Sequence, residues 1–334
     1  MKNLAYVLQN GKIICRQLDL KPLPKDWVRL KVLASGICGT DLQKICSANL
    51  TSIVLGHEFV GKVIKGESER LKIGDIVVGM PLLPCYKCDF CKLGNINLCQ
   101  SGDAIGRTYS GAFAQYVDIP ANNCFLLPKN VSVEVAVLTD VIAVALHSLK
   151  MVGQLSNKDC LIIGDGTVGY TLAWLLKINN ARVTLIGKDK KKANMFYSIV
   201  DRFLSADNND LNNCQEKQNY DFVFETVGRR QEKTLSIAIQ KVKPKGVIVV
   251  LGVFDPGYMA SILVRNLFIK EARLVGSNAY TTNEFVKAIH ILEKYHHFFN
   301  LLITHRLSFS KFEEGVNKLK NKTTPTIKVI LTHS

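Results

Sequence analysis

The chain opens without the marks of export. Met1-Lys2-Asn3-Leu4-Ala5-Tyr6-Val7 has neither the apolar run nor the small-residue cleavage site of a secretory signal. No uninterrupted apolar stretch reaches the roughly 20 residues that a membrane-spanning helix needs. These absences predict a cytoplasmic protein with no membrane partner. In a reducing compartment the ten cysteines are not expected to form a disulfide framework, which leaves metal binding as their main use. Acidic residues are also scarce, 28 against 43 basic ones, for a formal charge of +15. That balance suits nucleic acid, an anionic surface or phosphorylated small molecules. Yet there is no basic tail and no aromatic-rich RNA-binding signature. The densest run, Lys188-Asp189-Lys190-Lys191-Lys192, is broken by an acid. The lysines read as a solvated surface. Nucleic acid is not an expected partner, and phosphorylated ligands stay open.

The 334 residues suffice for one large or two ordinary domains. The first 80 residues lack any long helical pattern. They alternate apolar and polar side chains at Val28–Ala34, Phe59–Ile64 and Asp75–Val78, which predicts a β-rich barrel or sandwich. Gly111–Val117 reads as a further strand and Val135–Val152 as an apolar helix.

The most specific feature is Cys85-Tyr86-Lys87-Cys88-Asp89-Phe90-Cys91 with Cys99, a C-x2-C-x2-C-x7-C spacing. Four sulfurs this close in sequence can surround one tetrahedral zinc ion. An iron–sulfur cluster or disulfides are the alternatives, but nothing nearby resembles the rest of a ferredoxin-type domain. Two smaller constellations carry metal-ligand residue types beside glycines: Gly36-Ile37-Cys38-Gly39-Thr40-Asp41 and Gly56-His57-Glu58. Taken alone, Cys38 reads as a small buried apolar residue and His57-Glu58 as a hydrogen-bonded pair. Asp140 sits in the apolar helical stretch, where an acid is unfavourable unless it is paired, caps a helix or binds metal.

From residue 158 strands and helices alternate, which implies a doubly wound parallel sheet. The buried strand Cys160–Ile163 runs directly into Gly164-Asp165-Gly166-Thr167-Val168-Gly169, and a helix follows. In that context G-x-G-x-x-G is a dinucleotide signature: one glycine turns the chain, one admits the pyrophosphate and one lets the helix lie on the sheet. At the end of the second strand, where an NAD site places an acid, stands Gly187, followed by Lys188. That exchange favours the extra phosphate of NADP(H). A register that puts Asp189 at this position instead restores NAD(H).

Taken together and in this order, with Gly74-Asp75, these elements make the sequence resemble the zinc-containing medium-chain alcohol/polyol dehydrogenase family over essentially its whole length. The resemblance implies a GroES-like, β-rich catalytic domain over 1–145 and a Rossmann domain over 146–278. A last segment, 279–334, returns to the catalytic domain. It implies a catalytic zinc on Cys38 and His57, with Glu58 ligating directly or exchanging with water or substrate. Asp140, followed by Val141 where the family often has a proline, matches the remaining ligand. Cys85, Cys88, Cys91 and Cys99 would hold a structural zinc. Thr40 matches the hydroxyl that passes the substrate proton outward, and Asp41 a carboxylate that orients a ligand. Cofactor phosphates would lie on Gly166–Gly169, with Gly164, Gly187, Lys188 and Lys192 around the adenosine end. Thr226, Val227, Leu251, Gly252 and Ser277 would line the nicotinamide side. The second half is similar to NADPH-linked pentitol-phosphate reductases of the family. The implied activity is hydride transfer between NADP(H) and an alcohol or carbonyl substrate, a polyol or sugar derivative, by a homo-oligomer. Lys44, Arg107 and Arg265 are candidate anion contacts. The alternative is an inactive zinc- and dinucleotide-binding protein of the same fold.

Overall fold

The computed structural model describes residues 2–46, 52–66, 68–206, 219–229, 233–321 and 324–333. The chain divides into two units, Met1–Ala143 with Tyr280–Ser334, and Val144–Ala279.

The first unit is built around the strand Trp27–Ile37, whose even-numbered positions from Val28 to Gly36 are all buried. It pairs antiparallel with Glu58–Lys65 on one side and with the C-terminal strand Lys328–Thr332 on the other. Ile303–Ser308 extends the sheet beyond Lys328–Thr332, while Ile76–Gly79 and Cys124–Leu126 extend it the other way. Register matters here. Gly36 lies opposite Glu58, and Val329 lies opposite Ile37. Because side chains alternate across a strand, Gly36, Glu58 and Lys328 share one face of the sheet. A second sheet, Lys12–Asp19, Lys2–Gln9 and Ile53–Val54, packs Leu8, Val54 and Leu55 against Phe113 and Phe312.

The second unit holds a parallel sheet of six strands among the described residues. Their order is Arg202–Ser205, Arg182–Gly187, Asp159–Ile163, Tyr220–Glu225, Val242–Val250 and Arg273–Gly276. In chain order that is 3-2-1-4-5-6, the doubly wound arrangement whose ligands sit at the carboxyl ends of the strands. The central strands are continuous apolar runs because helices cover both faces; Cys160–Ile163 and Val183–Gly187 are buried throughout.

Two expectations change in detail. The apolar helix over 135–152 is two helices, Val133–Ala136, capped by the Ser132 hydroxyl, and Thr139–Leu149. Gly111–Ala114 lies outside the strand ladder, which begins at Tyr116; its N–H groups instead bond Val54, Gly56 and Leu55 carbonyls. In the second unit a helix, Lys233–Lys241, leads directly into the strand that opens at Val242. An additional helix, Gly39–Cys46, buries Asp41, Leu42 and Ile45. No helix among the described residues is long and apolar enough to cross a membrane.

Candidate active site and metal centres

Cys38 stands where the strand Trp27–Ile37 gives way to the helix Gly39–Cys46, and His57-Glu58 where the neighbouring strand begins. Antiparallel pairing therefore brings two sequence-distant loops together at one sheet end. Ligand atoms of Cys38, His57 and Glu58 all lie within 4.8 Å of one another. Asp41, fully buried, holds this set in place. Its Oδ2 accepts the Cys38 N–H at 3.0 Å, and its Oδ1 lies 3.4 Å from His57 Nδ1. Nδ1 is thus turned to Asp41, and Nε2 is the nitrogen left for a metal. Burial opposes a charged imidazole, yet Asp41 and Cys38 hold His57 well above the usual histidine range. The Thr40 hydroxyl donates to Cys38 Sγ at 3.3 Å and is only partly buried.

Glu58 is buried, and its Oε2 forms an ion pair with the equally buried Lys328. Glycine at 36 makes this possible. A Cβ there would collide with Glu58 Oε2 and come within 2.9 Å of Lys328 Cε. Glu58 Oε1 is buried with no hydrogen-bond partner. A buried carboxylate oxygen without a donor is unfavourable on its own. Beside a thiol and an imidazole nitrogen it completes a donor set that fits a zinc ion with a position left open.

Asp140 lies outside that 4.8 Å set. It sits in the first turn of Thr139–Leu149, and its Oδ1 accepts the hydroxyl of the buried Tyr280. Burial, reinforced by Glu58, raises Asp140 to about 6, with His57 pulling the other way. Tyr280 and Lys328 were not among the residues singled out from sequence. Lys328 did carry a signal, a lone charge leading the apolar strand Val329-Ile330-Leu331.

The second cluster joins Cys85, Cys88, Cys91 and Cys99, again within 4.8 Å. Sγ–Sγ separations of 4.0 Å for Cys85–Cys91 and Cys88–Cys99 match the ~3.8 Å edge of a tetrahedron with zinc–sulfur bonds of about 2.3 Å. They are far too long for disulfides, and all four cysteines are free. N–H groups of Lys87 and Cys88 point at Cys85 Sγ and lower that thiol to about 6, while burial and the neighbouring thiols push Cys91 up to about 12. Four sulfurs gathered this closely suit a dication among them.

In the second unit, the turn from Asp159–Ile163 into the helix Thr167–Ile178 contains the glycine signature. A Cβ on Gly169 would run into the Gly164 carbonyl, so its absence lets helix and strand close up. A Cβ on Gly166 would meet nothing within 4 Å. That open space, at the helix N-terminus, fits a pyrophosphate. Thr167 and Val168 are the first two helical residues. Thr226 Oγ1 bonds the Ile163 carbonyl, and the N–H groups of Leu251 and Gly252 bond Glu225 O. These three therefore stand at the same carboxyl end of the sheet. Gly187 ends its strand, Lys188 is exposed, and Asp189 caps the next helix through the Lys191 N–H. Lys192 is turned inward and buried.

A β-rich unit bearing a thiol–imidazole–carboxylate set shares one chain with a dinucleotide-type sheet, the combination of an oxidoreductase. Comparison with known proteins makes the class specific. The alcohol dehydrogenase GroES-like domain matches residues 24–129, and the glucose dehydrogenase C-terminus matches 134–332. The sequence is 31% identical to D-arabinitol dehydrogenase 1 of Uromyces fabae, covering 91% of this chain and 90% of that one. It is 28% identical to galactitol 1-phosphate 5-dehydrogenase of Escherichia coli K12, covering 90% and 91%. The crystal structure of galactitol-1-phosphate dehydrogenase from Escherichia coli superimposes with a TM-score of 0.87 at 27% identity, over 99% of this chain and 100% of that one. A zinc-binding dehydrogenase from Sinorhizobium meliloti 1021, solved bound to NADP, shares the fold at TM-score 0.89 and 23% identity, over 99% of both chains. The chain belongs to the zinc-containing medium-chain alcohol/polyol dehydrogenase family, and it is an enzyme of that class.

Proposed function

We propose that the protein is a zinc-dependent, NADP(H)-linked dehydrogenase of a polyol or sugar derivative, with phosphorylated polyols within its range. The observation that carries the proposal is the gathering of Cys38, His57 and Glu58, with Glu58 Oε1 buried and unpartnered. Bound zinc would polarise the substrate oxygen, and bound nicotinamide would exchange the hydride.

The chain's own residues would do the rest. Cys38, His57 and Glu58 hold the metal, with Asp140 as a further carboxylate nearby, directly or through water. Asp41 fixes the imidazole so that Nε2 stays available. Thr40, touching Cys38 and partly open to water, takes the alcohol proton in oxidation and returns it in reduction. Gly166–Gly169 lie at the N-terminus of the helix Thr167–Ile178, the end whose dipole favours the cofactor phosphates. Lys188 is the exposed cation for a ribose phosphate, because Asp189 is committed to capping. Thr226, Leu251 and Gly252 bound the nicotinamide side.

A phosphorylated substrate is supported by two cations near the first site. Lys44 follows Thr40 by one helical turn and so shares its face. Its ammonium bonds the Gly106 carbonyl, next to Arg107. Assembly as a homo-oligomer is supported by the edge strand Arg273–Gly276. It leaves Leu274 exposed, beside a helix, Val264–Lys270, that buries none of its residues.

The test is turnover with NADPH and NADP+ across aldehydes, ketoses, ketose phosphates and polyols, in wild type, Cys38→Ser and His57→Ala. Both variants are expected to lose turnover at least a thousandfold while NADPH affinity stays within about twofold, as loss of the polarising metal without damage to the cofactor unit requires. Normal turnover in either variant overturns the proposal.

A further inference from the structure

The strand Arg182–Gly187 ends at the position where this kind of sheet places the acid that binds the adenosine ribose, and the residue there is glycine. The structure gives a reason beyond cofactor choice. A Cβ on residue 187 would lie 2.6 Å from Asp165 Cβ, 2.9 Å from Asp165 Cγ and 2.9 Å from Phe203 Cε2. Real side chains essentially never approach so closely. The Asp165 side chain, reaching across from the glycine-rich turn, fills the space from which an acid at 187 would project.

Asp165 does more than fill it. The residue is buried, and its Oδ2 accepts two backbone N–H groups, from Lys188 at 3.0 Å and Asp189 at 2.9 Å. Lys192 reaches it from the following helix. That side chain is only 3% exposed, with Nζ 3.9 Å from Asp165 Oδ2 and 3.5 Å from Asp165 O. One carboxylate thus ties together three consecutive pieces of the adenosine end: the glycine-rich turn, the loop after the second strand, and the first turn of the next helix.

We propose that Asp165 is a positioning residue that sets which cofactor the second-strand loop accepts. It stands in for the ribose acid in space but directs its charge inward, onto two N–H groups and Lys192. An acid on residue 187 would instead face the ribose, accept its hydroxyls and repel a 2′-phosphate. With Asp165 in place, residue 187 carries no side chain, Asp189 is occupied as a cap, and the exposed Lys188 is the charge presented to that end of the cofactor. Two N–H bonds to a carboxylate hold the Lys188 backbone in one arrangement, so the cation is positioned before the ligand arrives. The proposal rests on the NADP(H) assignment above and names the residue that builds it.

The experiment uses the full-length, zinc-replete protein. Dissociation constants are measured calorimetrically for NADPH, NADH, 2′,5′-ADP and 5′-AMP, alongside melting curves. Asp165→Ala is expected to weaken NADPH and 2′,5′-ADP by about tenfold or more, the effect of losing charge-assisted hydrogen bonds. NADH and 5′-AMP are expected to change by no more than about twofold. Asp165→Asn keeps an accepting oxygen and is expected to restore the preference. The double variant Asp165→Gly with Gly187→Asp moves the acid to the strand end and is expected to reverse the preference toward NADH. Gly187→Asp alone, forced against Asp165, is expected to melt earlier than either.

If Asp165→Ala does not fold, Asp165→Ser, too short to reach both N–H groups, takes its place with the same expectation. A preference that survives Asp165→Ala, an equal loss for all four ligands, or an Asn variant as impaired as the Ala variant overturns the proposal alone. Wild-type protein that binds NADH as tightly as NADPH overturns the NADP(H) assignment, and the proposal with it.

Discussion

Two side chains carry more of the first site than their positions in the chain suggest. Lys328 and Glu58 meet across 270 residues of sequence, over a glycine that leaves them room. The pair is buried, and removing one half of such a pair leaves an uncompensated charge at a cost of about 3–5 kcal/mol. Lys328→Met is therefore expected to lower the urea midpoint sharply, with Glu58→Gln added to it restoring much of the loss; no loss in the single variant would contradict this. His333 gives the pH dependence. Burial, with Lys31 adding repulsion, lowers it from 6.5 to about 4, and its Nε2 has no hydrogen-bond partner. Between those values the unfolded chain takes up a proton that the folded chain refuses. Its contribution is present in full above pH 6.5 and is lost as pH falls toward 4. The fall in melting temperature from pH 7 to pH 5 should be smaller in His333→Phe, which keeps the ring stacked on Phe309, than in wild type. At this scale the sequence was only half legible. Cys38, His57 and Glu58 announced themselves by residue type beside glycines. Lys328 and Tyr280 did not, because what makes them matter is a partner 270 or 140 residues away.

Among elements, the segment from Cys85 to Cys99 is the least able to fold by itself. It contains one turn of α-helix, Asp89–Lys92, and one of 3-10 helix, Ile96–Leu98. Of its residues only Cys91 and Ile96 are buried, while Tyr86, Phe90, Leu93 and Leu98 are exposed. So small an apolar core contributes little, and a metal joining four sulfurs would supply the missing free energy. Cys88→Ser, or exposure to a strong chelator, is expected to lower the melting temperature and open this segment to proteolysis. NADPH affinity should stay unchanged. Protease resistance equal to that of wild type would contradict a structural metal. The spacing of the four cysteines made the segment conspicuous in sequence because all its chemistry is local. The parallel sheet was legible for a similar reason: its central strands carry short apolar runs, Cys160–Ile163 and Val247–Val250, set off by glycine or polar turns. Gly111–Ala114 misled because its pairing is scattered: it bonds Val54, Leu55 and Gly56 on one side and meets Lys2–Gln9 only through an isolated bridge, Ala5 to Ala114, on the other. The split at Val137-Leu138 was hidden because both residues are apolar and continue the run Val135-Ala136.

At the scale of the whole molecule, the two metal-ligand clusters are proposed to have different tasks. One is closed by four sulfurs and holds an irregular segment together. The other combines a thiol, an imidazole and a carboxylate oxygen that lacks any protein partner, and leaves a position open for substrate. Both lie in the unit formed by Met1–Ala143 and Tyr280–Ser334, while the dinucleotide signature lies in Val144–Ala279. The central claim is that the second cluster is a metal site, and zinc content per chain tests it most directly. Elemental analysis of protein purified without chelator is predicted to give two zinc ions per chain in wild type. The Cys38→Ser/His57→Ala double variant should give one. One zinc per chain in wild type, unchanged in the double variant, would contradict the account and leave a dinucleotide-binding protein with a single structural metal.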